Sequence, residues 1–123
     1  MSKKNKVKSI NLYAEEYERK DYAFQSARLS VFSRTEEVIM KKLAVDIYPD
    51  GPDKQRAQDE LDKAQQRLIV SIGAMDARKQ ELIEYYTSNF EKIKESFYGL
   101  RDPRDYGTSH EVVECTVRNF YKR

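Results

Sequence analysis

Tryptophan is absent from the 123 residues, and cysteine and histidine occur once each, as Cys115 and His110. A single cysteine cannot form a disulfide within the chain, which fits a reducing compartment. A single histidine leaves too few ligands for a catalytic zinc, which takes three protein ligands rich in nitrogen or sulfur. Glycine occurs four times and proline three, so helix breakers are scarce. No apolar run approaches the roughly 18 to 20 residues of a membrane span. The lysine-rich start is not followed by a hydrophobic signal segment. These absences predict no membrane partner and no export by a signal peptide. The expected location is the cytoplasm or an intracellularly assembled particle.

What is present is charge and helical periodicity. Charged residues make up 36% of the chain and hydrophobic ones 39%, a balance that suits long amphipathic helices with wide solvated faces. The length fits one domain. The net charge is +2, but it is unevenly placed. Lys3, Lys4, Lys6 and Lys8 stand at the start without an acid, and Arg118, Lys122 and Arg123 stand at the end. Residues 1–9 therefore read as a basic arm, and both ends as candidate contacts to an acidic surface or nucleic acid. The plainer alternative is a solubilising, frayed terminus.

Residues 10–99 read as a helical hairpin. Ile10, Tyr17, Phe24, Val31, Val38 and Val45 recur every seven residues, marking one line of a helix packed on a neighbour. The companion line is poor (Lys20, Arg34 and Lys41 stand in it), so this is not a regular two-stranded coiled coil. From Leu29 onward Phe32, Ile39, Met40, Leu43 and Ile47 widen the apolar surface. That width predicts the second half of the helix in the core and the tyrosine-rich first half projecting, with a break near Asp21 or Ser33. Tyr48-Pro49-Asp50-Gly51-Pro52-Asp53 is the turn at 48–53: Pro49 ends one helix, and Pro52 suits the first position of the next.

The second apolar line runs from Ala57 through Leu61, Leu68, Met75 and Leu82 to Phe97, interrupted only by Lys79. Its steps of three and four average near the 3.6-residue turn. Gly73 marks an expected bend, and Ile69, Val70 and Ile72 are expected to face the first helix. Gly99 offers a helix stop. Residues 100–123 then read as a loop and a short C-terminal helix, with Thr108 and Glu111 spaced as a capping box. The alternation of Val113, Cys115 and Val117 keeps a strand open there. The fold class is all-α: a long antiparallel hairpin with a short third helix, completed by oligomer or partner contacts.

No constellation of catalytic residues emerges. His110 and Glu114 share a helix face, yet a glutamate stands where the zinc-peptidase pattern needs a second histidine. Cys115 lies about 140° around the helix from His110 and reads as a packed, unreactive cysteine rather than a nucleophile. Glu15-Glu16 and Glu36-Glu37 are adjacent pairs that do not converge on a helix. Asp50-Gly51-Pro52-Asp53 is acidic and would repel phosphate. A helix-turn-helix at the C-terminus would need a turn of about three or four residues, and the gap is much longer. The expectation is a chain with no enzymatic activity and no cofactor or metal.

The nine tyrosines are the more useful oddity, because an apolar ring with a wet tip suits interfaces. Tyr13, Tyr17, Tyr22 and Phe24 on the first helix, with Tyr85 and Tyr86 on the second, are the candidate protein-interface residues. The expected function is a non-catalytic structural or adaptor subunit of a larger assembly. It would pack through its helices on itself or another protein, with its basic arm on an acidic surface. Its size also fits a virion or mobile-element component. The alternative is a small nucleic-acid-binding regulator that uses its basic termini.

Overall fold

A computed structural model describes residues 11–96 and 100–122. It contains α1 (Leu12–Ile47), α2 (Pro52–Ile93) and α3 (Ser109–Lys122), with short 3-10 turns at Lys94–Ser96 and Pro103–Asp105. Helices α1 and α2 form the antiparallel hairpin, and among the described residues there is no strand. Gly51 joins the helices at φ 145°, a backbone angle that L side chains rarely adopt. Pro52 follows at the first position of α2, where its missing N–H costs nothing.

The N-termini of α1 and α3 are fixed by specific side chains. Asn11 caps α1 by accepting from the backbone N–H groups of Tyr13 and Ala14. Its amide nitrogen also donates to the Lys92 carbonyl at 2.7 Å and Ser96 Oγ at 2.9 Å. One residue thus starts α1 and ties it to the end of α2. Thr108 and Glu111 form the capping box of α3: Glu111 N–H donates to Thr108 Oγ1 at 3.1 Å, and Thr108 N–H donates to Glu111 Oε1 at 2.7 Å. The helix reading of this segment therefore holds over the strand alternative. The proposed stop at Gly99 lies outside the described residues, as do the basic arm and Ile10.

Neither long helix breaks where the sequence suggests. Helix α1 runs unbroken through Asp21 and Ser33, and α2 runs straight through Gly73. Gly73 sits on an exposed face with open space beyond its Cα, so it weakens the helix without bending it. The irregular position is Asn89, at φ −127° and ψ 19°. Its side chain donates to the Tyr85 carbonyl at 3.1 Å, satisfying an acceptor at the kink. Kinks need such a local cause.

The main core holds Tyr17, Phe24 and Val31 of the seven-residue line, packed with Met75, Leu82, Tyr86 and Ile93 of α2. Leu100, Tyr106, Val112 and Val113 close over it from the loop and α3. The base of the hairpin is therefore a three-layer body. Toward the turn the buried seam narrows to Thr35, Ile39 and Val45 against Leu61, Ala64 and Ser71. Thr35 satisfies its hydroxyl on the Val31 carbonyl at 2.7 Å. Ser30 and Ser71 face each other at 3.3 Å. At the edge of this seam Arg67 grips Glu37 in two bonds of 2.7 and 3.3 Å, holding the Glu37 carboxyl below its ordinary range.

The core placement only partly follows the expected division of α1. The second half does bury Val31, Thr35, Ile39 and Val45, but the first half buries Ala14, Tyr17 and Phe24 as well, because the loop and α3 close over it. Leu29, Phe32, Met40 and Leu43 in the second half remain exposed, as do Ile69 and Val70 of α2. Ile69 and Val70 therefore do not face α1, whereas Ile72 is partly buried against the core.

Burial also fixes an alkaline limit. Burial raises the Tyr17 phenol above its ordinary 10.0, with Tyr106 and Asp21 adding to the effect. Tyr86 and Tyr106 move the same way, again chiefly through burial. The fold holds the neutral phenol, while an unfolded chain releases the proton from about pH 10 upward. This contribution is fully present below that pH and is lost as pH rises beyond it. The thermal midpoint should be level to about pH 9 and fall above about pH 10. Melts followed by far-ultraviolet circular dichroism check this, and Tyr17→Phe should shallow the fall.

Candidate functional site

The predicted interface residues fall into three groups. Tyr17, Phe24 and Tyr86 are buried within the chain. Tyr17 lies 6.1 Å from the Tyr86 ring, and Phe24 stacks on Tyr106 at 5.4 Å and 10°. These three are core, which corrects their assignment to an association surface: the rings are already covered by α2, the loop and α3. Tyr13 and Tyr85 edge the hairpin base. Tyr85 Oη donates to the Tyr13 carbonyl at 3.1 Å, and Lys92 sits 4.8 Å over the Tyr13 ring. Only Tyr22 of the six projects freely.

A row of exposed apolar side chains lies elsewhere on α1. Tyr22 is 74% exposed, Leu29 64%, Met40 57% and Ile47 77%. Leu43 and Phe32 are exposed to a lesser degree. At about 100° of rotation per residue these six positions fall on one face. Ser30, Glu37 and Lys41 stand about 100° around α1 from the stripe, where they meet Ser71, Arg67 and Glu60 of α2. The exposed stripe is therefore not turned into that contact. It is most of the wide apolar surface noted in the sequence, exposed except for Ile39, which is buried. Ile69 and Val70 are adjacent and diverge by about 100°, so they do not extend into a comparable stripe. On α3 a smaller pair, Val117 and Tyr121, is exposed one turn apart.

The remaining candidates show little convergence. His110 and Glu114 pair at 3.3 Å on the solvent side of α3. Among the described residues no group of three or more His, Cys, Asp or Glu is placed to hold a metal. Cys115 is exposed, with the Asn119 amide 3.4 Å from its sulfur. It is therefore not the packed cysteine expected from the sequence, because the buried face of α3 belongs to Ser109 and Thr116. Arg118 and Lys122 are exposed on α3. Lys3, Lys4, Lys6, Lys8 and Arg123 lie outside the described residues. No helix among the described residues is long and apolar enough to cross a membrane.

One functional residue of the fold was visible in the sequence only as an irregularity. Lys79, the single interruption of the α2 apolar line, donates from Nζ to the Tyr106 carbonyl at 2.6 Å and reaches the Gly107 carbonyl at 3.4 Å. It holds the loop immediately before the α3 capping box. Arg101 adds a second hold, its guanidinium 4.9 Å from the Tyr106 ring centre.

Comparison with the models of known families, with curated proteins and with solved structures gives no match to this chain.

Proposed function

We propose that this chain is a non-catalytic structural or adaptor subunit of a larger assembly, joined to it by helix packing on the outer face of α1. The observation that carries this reading is the exposed apolar stripe from Tyr22 to Ile47 on a helix already held by two intrachain neighbours. Exposed apolar side chains gathered on one face favour a protein partner, because covering them removes hydrocarbon from water. The basic arm of Lys3, Lys4, Lys6 and Lys8 belongs to the same reading as a secondary contact on an acidic surface, and a virion or mobile-element particle is a setting of fitting scale.

The test is the double substitution Met40→Glu with Leu43→Glu, measured by light scattering behind size exclusion at low and high salt. The unsubstituted chain should associate above its 14.5 kDa mass at both salts, since apolar contacts are not screened. The double variant should fall to the monomer with its helical signal unchanged. Association that survives the double substitution would overturn the choice of face. A chain that is monomeric both when purified and in extracts of its own cells would overturn the reading itself.

A further inference from the structure

We propose that the cleft between α1 and the C-terminal loop binds a phosphate group, held between the guanidinium groups of Arg28 and Arg101. This site is separate from the association of α1 and does not depend on it. The argument starts from the cations that the fold leaves unpaired. Arg19, Arg34, Arg56, Arg67, Arg78 and Arg104 each stand within ion-pair distance of a carboxylate. Among the described residues Arg28, Arg101 and Arg118 do not. Two of these, Arg28 and Arg101, come from distant parts of the sequence and line one cavity of about 190 Å³.

Phe24, Gln25, Tyr106 and Gly107 complete the lining, which holds no carboxylate. Both arginines are oriented by contacts that leave N–H groups over. Arg28 donates from Nε to Gln25 Oε1 at 3.1 Å, which fixes the guanidinium and leaves its two Nη groups for an incoming acceptor. Arg101 lies 4.9 Å from the Tyr106 ring centre and donates from one Nη to the Asp105 carbonyl at 3.4 Å. Its Nε and other Nη remain. A guanidinium presents its donors as a rigid fork that matches the oxygens of a phosphate. Lys79 adds a third positive charge beside the cavity, because Nζ bonds the carbonyls of two lining residues, Tyr106 and Gly107, rather than a carboxylate.

The acids of the neighbouring turns are engaged outside the cavity. Asp21 accepts from the Gln25 amide at 3.4 Å, Asp102 is gripped by Arg104, and Glu111 accepts from the Thr108 N–H at 2.7 Å. Two unpaired guanidinium groups match a doubly charged anion better than a carboxylate, and a phosphate group carries roughly −1.5 to −2 at pH 7. The cavity is smaller than the roughly 300 to 1,000 Å³ that encloses a whole drug-sized ligand. It therefore takes the phosphate group itself, either free or at the end of a small phosphomonoester whose remainder stays in solvent. Because the two forks belong to α1 and to the loop that leads into α3, the bound group ties these segments together, and occupancy stabilises the folded chain.

The experiment titrates the full chain with inorganic phosphate and, separately, with glycerol 2-phosphate, at an ionic strength held constant with potassium chloride. The thermal midpoint should rise saturably, by roughly 4 to 7 °C at ten times the Kd, and calorimetric titration should give one site per chain. Tighter binding of inorganic phosphate assigns the cavity to the free anion, and tighter binding of the ester assigns it to a phosphorylated small molecule. Arg28→Gln and Arg101→Gln should each weaken binding at least tenfold, whereas Arg118→Gln, at the unpaired arginine outside the cavity, should leave it unchanged. Arg28 is exposed, so its variant keeps the fold and the test stands even where Arg101→Gln loosens the loop. No saturable rise beyond that in potassium chloride would overturn the site. So would binding that survives Arg28→Gln, or that falls equally in Arg118→Gln, which would mark diffuse attraction to positive charge.

Discussion

Phe24→Ala should destabilise this protein by about 3 to 5 kcal/mol, the range for emptying a buried aromatic position. Phe24 is fully buried, stacks on Tyr106, and sits at the centre of the line formed by Tyr17, Phe24 and Val31. Its ring is where α1, α2 and the C-terminal loop meet. Truncation therefore removes apolar burial and the support under Tyr106 together. Tyr22→Ala, two residues away on the outer face, should change stability by no more than about 0.5 kcal/mol. Urea unfolding followed by far-ultraviolet circular dichroism, at matched protein concentrations, compares the two. Similar losses for both would mean that Tyr22 is as structural as Phe24. A negligible loss at Phe24 would mean that the loop and α3 do not seat on the hairpin as described.

That pair of residues also shows what the sequence could and could not reveal. The hairpin, its turn at Gly51 and the α3 capping box depend on local rules: a proline restrains its neighbour, a glycine takes an angle others avoid, a threonine reaches three residues ahead. These were legible. The seven-residue line was legible as well, because Tyr17, Phe24 and Val31 do form a continuous packed ridge. Which apolar residues face inward was not. Leu29, Met40, Leu43 and Ile47 look like core by composition, and tyrosines look like surface. The outcome depends on where the last helix returns, and helical periodicity carries no information about that. Helix α3 and its loop come back over Tyr17 and Phe24 and leave the stripe uncovered. Gly73 and Asn89 carry the same lesson on a smaller scale. A glycine on an exposed face continues the helix, while an asparagine able to bond the Tyr85 carbonyl marks the irregular turn.

Lys79→Met should cost about 1.5 to 3 kcal/mol, the scale of a hydrogen bond from a charged donor. The effect should fall on α3 more than on the hairpin. The substitution keeps the aliphatic stem and completes the apolar line of α2 from Ala57 onward. On pattern alone it should be neutral or stabilising. The structure argues the opposite, because the ammonium group holds the Tyr106 and Gly107 carbonyls just ahead of the Thr108 cap. Without it those carbonyls lose a short charged donor, Tyr106 loses one of its restraints over Phe24, and α3 starts from an unanchored loop. Hydrogen exchange resolves the location: faster exchange across residues 109–122, with residues in the middle of α2 unchanged, is the expected pattern. A stabilised protein with unchanged α3 protection would show that Lys79 merely interrupts the apolar line and clamps nothing. Since α3 and its loop are what enclose the first half of α1, the loss of their anchor should extend the exposed apolar surface toward Tyr17. A loosened Lys79→Met variant is therefore expected to bind more of an apolar dye such as ANS than the unsubstituted chain.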